Sequence, residues 1–478
     1  MPTTILRLLG AALFLCTACG SDATAGPDAG QPDASTPADG AITDATQESG
    51  GPPTTLCSGS SARYVLAGAT GAGTGLTWAD AYADLPASLT RGTTYCVGDG
   101  SYAAHTFADA VSGNTAIVIR KATVADHGGD TGWSDAFGDG TASFPSLAFN
   151  TSFYTLDGAT GGGPGSWTTK HGFTFTSAAG TNISYVSLFD GMTNFIGRHI
   201  SCVQAGNTEA FPVGAVCFYD AGSLSNSTFE YNHFDNLGGL PWLLRTGSGN
   251  IFQYNWSGNI CGQSVADVNQ HCEAIVIHGM SDVHFRWNYL SECPSSGGFV
   301  FNAGASDSVR IYGNVFRNGF PIQCNTGTCT NWRVFNNTFA TNITGGFIGG
   351  DGTRSGVLVD DNLTYAASSQ QNLGATAHDY NYYSAVTTQC SMNPGAHENI
   401  CVACTAGCDS VTATADPFVN EAGTTPEALE LAAPIAGQAG TDVCALDACT
   451  GEKKYDLDAF GVKRGADGTW DRGAYEHP

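Results

Sequence analysis

Between Thr228 and Tyr365 apolar and polar positions alternate as in β-strands, and one short phrase recurs. An apolar residue is followed by two spacers, an Asn and then another apolar or aromatic residue. It reads Phe229-Glu230-Tyr231-Asn232, Phe252-Gln253-Tyr254-Asn255, Phe285-Arg286-Trp287-Asn288, Ile311-Tyr312-Gly313-Asn314, Val334-Phe335-Asn336-Asn337 and Val359-Asp360-Asp361-Asn362. The Asn-to-Asn steps are 23, 33, 26, 23 and 25 residues. A period in the twenties, with strand alternation and no 3.6-residue pattern, predicts an all-β solenoid of stacked strands. Asn suits the sharp corner of each rung because it tolerates the left-handed conformation and bonds its own backbone. Stacked Asn side chains can also bond from rung to rung. An ordinary β-sandwich with Asn in its turns is the alternative.

The same alternation extends the solenoid in both directions. Tyr64-Val65-Leu66 and Thr94-Tyr95-Cys96-Val97 read as strands, separated by a Gly-rich turn over 68–75. Thr77 can cap a helix running to Leu89, with Trp78, Ala81, Tyr82 and Leu85 on one apolar face. A solenoid must cover its first rung, since an open end exposes core and unpaired strands. Residues 57–150 are therefore read as an N-terminal cap, including this capping helix, plus the first rungs. The regular stack spans 151–385 and ends near Asp379-Tyr380-Asn381-Tyr382-Tyr383. Residues 386–478 form a disulfide-rich C-terminal extension and cap.

Composition adds the compartment. Residues 1–18 read as a lipoprotein signal peptide: Arg7, an apolar stretch over 8–15, then Thr17-Ala18 before Cys19 as the lipidated residue. A plain secretory signal is the alternative. Residues 19–56, rich in Ala, Asp, Gly, Pro, Thr and Ser, have almost nothing to bury and read as a disordered acidic tether. The expected location is extracytoplasmic, anchored by lipid to the outer membrane or cell surface, with the membrane met through that anchor only. The 17 Cys of an exported chain point to disulfides. Close spacing suggests Cys57–Cys96, Cys202–Cys217, Cys261–Cys272, Cys324–Cys329 and Cys444–Cys449, with Cys293 as the odd one. In Cys401-x-x-Cys404-x-x-x-Cys408 disulfides are favoured over a zinc knuckle. A net charge of −25 argues against a nucleic-acid partner. A monomer is expected.

The Trp78-Ala79-Asp80-Ala81-Tyr82 segment, the strand end Asp99-Gly100-Ser101-Tyr102, the Asn-bearing rungs and the close Asp471-Arg472-Gly473-Ala474-Tyr475-Glu476 form a recognisable set. Together they resemble secreted right-handed parallel β-helix proteins of the pectin-lyase-like superfamily over about residues 57–478. The resemblance implies that fold and a polysaccharide partner. It leaves the activity open, because that superfamily holds lyases, glycoside hydrolases, esterases and non-catalytic surface proteins.

Stacked rungs present one outward side chain each about every 4.8 Å, so a polymer lying along the axis is read by successive rungs. Aligned at their polar ends, the strands 216–220, 242–245, 274–278 and 299–302 offer Asp220, Arg245, His278 and Asn302 on one face. Here Tyr219, Leu244, Ile277 and Phe301 would point inward. His271 and Glu273 lead into the third strand, and Asp267 lies in the loop beside it. The candidate catalytic set is His278, Arg245, Glu273 and His271, with Asp220, Asn302 and Asp267 as substrate-binding residues. A His or Arg can take the proton α to a uronate carboxylate, while a cation, or Ca²⁺, holds that carboxylate. Alternatively, two of Asp220, Asp267 and Glu273 serve glycoside hydrolysis. In a third reading these polar residues only end strands, and the face binds glycan or a surface without chemistry. Asp360-Asp361 is read as a corner beside Asn362, and Lys170-His171 as part of a surface loop.

Overall fold

The computed structural model describes residues 57–477 apart from 60, 179, 206–213, 221, 261–272, 294–297, 320–321, 344–347, 366–376, 385–395, 399–415 and 436–438. Its paired strands are all parallel, each residue meeting its counterpart one rung away. The protein is a parallel β-helix. A rung runs along a first face, such as 242–245, and turns at Gly247 or Gly249 into a second face, Ile251–Gln253. It then turns at an Asn into a third face, Trp256–Gly258.

The core is a set of inward columns. On the second face Phe229, Phe252 and Phe285 stand over one another, with ring centroids 5.1 and 5.9 Å apart. Ile311, Val334 and Val359 continue that column by register, and all six are buried. Stacking like on like keeps each rung complementary to the next, and burial of each such side chain contributes roughly 1.5–3 kcal/mol.

The Asn residues form the predicted ladder, and Asn381 adds a further step. Each Oδ1 accepts the backbone N–H and the Nδ2 of the Asn one rung earlier, at 2.9–3.1 Å from Asn232 through Asn381. The Nδ2 also donates to a core carbonyl, as Asn288 does to the Phe252 oxygen at 2.9 Å. One expectation is corrected. The left-handed residue is the one before each ladder Asn: Tyr231, Tyr254, Trp287, Gly313, Asn336, Asp361 and Tyr380, with φ between 51° and 64°. Asn is needed for its two-sided amide, which pairs buried backbone groups that no strand can reach.

The helix expected over 77–89 does not form. Tyr82 instead bonds as a strand residue, its N–H donating to the Tyr64 oxygen and its oxygen accepting from Leu66. Pro86 also removes a helical donor. The apolar residues are used as expected: Trp78, Ala81, Leu85 and Leu89 are buried, and Trp78 lies 4.8 Å from both Tyr64 and Trp133. Disulfides join Cys57–Cys96, Cys202–Cys217, Cys324–Cys329 and Cys444–Cys449. The Cys261–Cys272 pair, the side chain of Cys293, Cys390 and the Cys401–Cys408 group lie outside the described residues. So do the signal, Cys19 and the tether.

The C-terminal extension packs back along the stack. Phe418, Leu429, Ala474 and Tyr475 cover outward residues of the third face, including Val315 and Leu363. Val443 and Tyr455 cover Tyr312 and Phe335 on the second face. The closing motif is fastened from inside: Arg464, 2% exposed, pairs with Glu476 at 3.4 Å and donates to the Ala474 oxygen. Among the described residues no helix is long and apolar enough to cross a membrane.

Candidate functional site

The first face carries the strands that sequence reasoning aligned, and its register decides which polar residues reach its surface. Phe218, Trp242, Ile275, Val300 and Ile322 are in register and point into the core. The next column, Tyr219, Leu243, Val276, Phe301 and Gln323, faces outward. Leu244, Ile277, Asn302 and Cys324 then point inward again, all buried, and Asp220 continues this column one step past Tyr219. The outward position after these belongs to Arg245 and His278. Both are exposed, and the flanking pairs Leu244–Ile277 and Thr246–Gly279 set them opposite one another in adjacent rungs.

The expected quartet is therefore split, and placing Asp220 and Asn302 on the open face is corrected. Aligning strands by their polar ends slips two of them by one residue, and a slip of one exchanges the two faces of a strand. Asp220 is an inward strand end whose Oδ1 accepts the Gly222 N–H at 2.8 Å. Burial pushes its carboxyl up to about 6, against the opposing pull of the Gly222 and Arg245 amides. Asn302 is likewise buried, its Nδ2 donating to the Gly304 oxygen at 2.7 Å and its Oδ1 accepting from the Ser306 hydroxyl. Polar strand ends serve as internal caps in those rungs and as surface groups in the rungs of Arg245 and His278. Glu273 is buried two residues before strand Ile275–Arg286. His271 and Asp267 lie outside the described residues.

What remains on the face has a definite chemistry. A fixed cation and an imidazole lie side by side, flanked by an apolar strip of Leu243, Val276 and Phe301 that packs with Leu240. The cation can hold a carboxylate while the imidazole, when neutral, accepts a proton. Among the described residues no group of three or more His, Cys, Asp or Glu converges as a metal centre.

Sequence reasoning missed a second polar array. On the outward side of the second face, Arg120, Asp157, Arg198, Glu230, Gln253, Arg286 and Tyr312 stand in consecutive register. Ion pairs and hydrogen bonds link them: Arg120 to Asp157, Arg198 to Asp157 at 2.9 Å and to Glu230 at 3.4 Å, and Gln253 to Glu230 at 2.7 Å. Arg286 joins Gln253 at 2.7 Å to the Tyr312 hydroxyl at 2.9 Å. The nearby arginines hold Asp157 below the usual carboxylate range although burial opposes them. From Glu230 onward, the signal was visible as the residue two before each ladder Asn. These groups pair with one another from rung to rung, so the array braces the stack. His171, read as a surface-loop residue, is 3% exposed beside His233, with ring centroids 5.5 Å apart. Burial keeps both neutral, His171 at about 3 and His233 at about 4. Asp361 takes the corner role expected of it, φ 58°, its carboxylate accepting the Thr441 N–H at 2.8 Å.

No family profile matches the chain, and no curated protein does. Among solved structures it is similar to a PL6-family alginate lyase, with 12% identity and a TM-score of 0.34, over 65% of this chain. The chain spans about half the length of that enzyme, 48%. It is also similar to the pectate lyase Pel9A, with 12% identity and a TM-score of 0.33, covering 88% of this chain and 98% of that one.

Proposed function

We propose that this β-helix binds an acidic, uronate-containing polysaccharide along its first face and cleaves it by elimination. The observation that carries this reading is the outward pair Arg245 and His278 in adjacent rungs, exposed beside the apolar strip of Leu243, Val276 and Phe301. Arg245 neutralises the uronate carboxylate, which makes the proton α to it more acidic. His278 takes that proton, its electron pair forms a double bond in the sugar, and the oxygen on the β-carbon leaves with its bonding pair and is protonated by water. Elimination is favoured over hydrolysis because Asp220 and Glu273 are both buried whereas Arg245 and His278 are exposed. Ca²⁺ could assist in holding the carboxylate, and an assay with and without it reads that directly.

The same reading places the protein outside the cytoplasm, tethered through Cys19. The disulfides suit an oxidising compartment. Cys19→Ser should release the protein from the membrane fraction, and unchanged membrane association would refute the tether. The test of function is incubation of the purified protein with uronate polysaccharides, following the ultraviolet absorbance of unsaturated ends. New unsaturated ends support elimination. Reducing ends without unsaturation would point to hydrolysis, and binding without either would leave a non-catalytic surface protein.

A further inference from the structure

The last of the described rungs ends the core on a titratable group. On the second face the apolar column Ile311, Val334 and Val359 is continued in register by His378, in strand Ala377–Asp379. The outward column beside it ends on Asp360 and Asp379, also paired in register. A solenoid end needs a cover for its core and its unpaired strands. Here residues 396–398 return to that rung. The Glu398 side chain is fully buried, with both carboxylate oxygens 3.0 Å from His378 Nδ1.

The same carboxylate terminates the Asn ladder. Asn381 Nδ2 donates to Glu398 Oε1 at 2.7 Å, just as Asn362 Nδ2 donates to Asn381 at 2.9 Å. Further contacts hold the segment. The His397 N–H donates to Asp379 Oδ1, and its Nδ1 meets Asp379 Oδ2, both at 2.7 Å. The His397 ring stacks on Tyr380 with centroids 4.3 Å apart. Arg472 donates to the His397 oxygen at 3.1 Å and to the Asn381 oxygen at 3.3 Å. Two imidazole–carboxylate pairs therefore fasten a cover that apolar contacts alone would hold without regard to pH.

We propose that these residues form a pH-sensitive clasp, which holds 396–398 on the end of the stack in mild acid and loosens as the pH rises past neutral. The hydrogen bond to Glu398 raises the His378 imidazole above its ordinary range, although burial opposes it. Such a pair stabilises fully below the ordinary imidazole value, and its contribution is lost as pH rises through the raised one. Burial, then the Asp379 charge, pushes Asp360 up to about 7. Its carboxyl is therefore neutral while His378 is charged, and it ionises as that charge is lost. The other groups facing this cluster are Asp379, His397, Arg472, Asp361 and Tyr383. Burial raises Asp361 and Tyr383 well above their ordinary values. Above neutral pH the charges of Asp360, Asp379 and Glu398 face Arg472 without the His378 cation. Both titrations thus weaken the clasp in the same direction. The clasp shares no residue with the first-face pair and does not depend on the elimination chemistry.

Amide hydrogen exchange in the whole protein tests the proposal, because the His397 N–H is itself one of the clasp's bonds. Its protection, after division by the intrinsic exchange rate, should fall about tenfold between about pH 6 and 8, the difference between a charge-assisted and a neutral hydrogen bond. The Asn314 N–H, bonded within the ladder to Asn337 at 3.0 Å, should keep its protection. His378→Gln keeps a donor for Glu398 but does not titrate, so it should flatten the fall at His397. Asp360→Asn should flatten it as well. The pH series of the parent protein decides the matter if a variant does not fold. Equal protection of His397 at the two pH values, a His378→Gln protein that keeps the parent's full fall, or a parallel fall at Asn314 would overturn the proposal.

Discussion

At the scale of single residues, the ladder Asn and the buried carboxylates carry the strongest expectations. Asn288 accepts from the Asn255 backbone at 3.1 Å and from its amide at 2.9 Å, and donates to Asn314 at 2.9 Å. Asn288→Ala orphans buried groups in both neighbouring rungs. A loss of about 1–3 kcal/mol is expected from the Asn255 N–H alone, read as a lower urea midpoint, whereas an unchanged midpoint would show that the ladder is decorative. Asp360 is 6% exposed, and burial followed by the Asp379 charge pushes its carboxyl up to about 7. The folded state then holds a proton that the unfolded chain has already released above pH 4. Between about pH 4 and 7 this residue lowers stability as pH rises, by up to ~1.4 kcal/mol per pH unit. Asp360→Asn should therefore gain on the parent protein across that window, and comparing the two cancels the opposing titration of the buried histidines. A constant difference from pH 4 to 7.5 would refute the shift.

At the scale of elements, what was legible in the sequence was what repeats. The ladder Asn and the Phe column recur at a near-constant step, because each rung must match the next, so period and fold could be read directly. The 77–89 segment does not repeat. There the apolar residues were identified correctly, but backbone pairing of Tyr82 with Tyr64 and Leu66 overrode a helical pattern containing Pro86. The first-face register was illegible for a related reason: parity changes with one residue, and loops of unequal length hide it. The C-terminal extension is a further element whose role no local pattern reveals. Tyr455 is 1% exposed, packs 4.6 Å from Tyr312 and 5.3 Å from Phe335, and donates to Asp447 at 2.8 Å. Tyr455→Ala should cost about 3–5 kcal/mol, as for other large aromatic truncations. Protease should then cut the extension before the stack, and cleavage at the parent's rate would show that the segment is not held by this contact.

At the scale of the whole molecule, the parallel stack turns a repeat in sequence into a straight track in space. Positions distant in sequence, such as Arg245 and His278, become neighbours because the register sets adjacent rungs side by side. A net charge of −25 opposes an acidic polymer everywhere except where cations are presented. Binding should therefore localise to Arg245 and weaken with salt, and Arg245→Ala should raise the dissociation constant for a uronate oligomer while leaving a neutral one unaffected. The measurement that reaches the centre of this account is the rate of unsaturated-end formation from a uronate polysaccharide by the parent protein and by His278→Ala, with binding followed in parallel. The account predicts turnover by the parent, a loss of ~10²–10⁴-fold in the variant, and binding that survives. Full turnover by His278→Ala, or none by the parent on any uronate polysaccharide it binds, would contradict it.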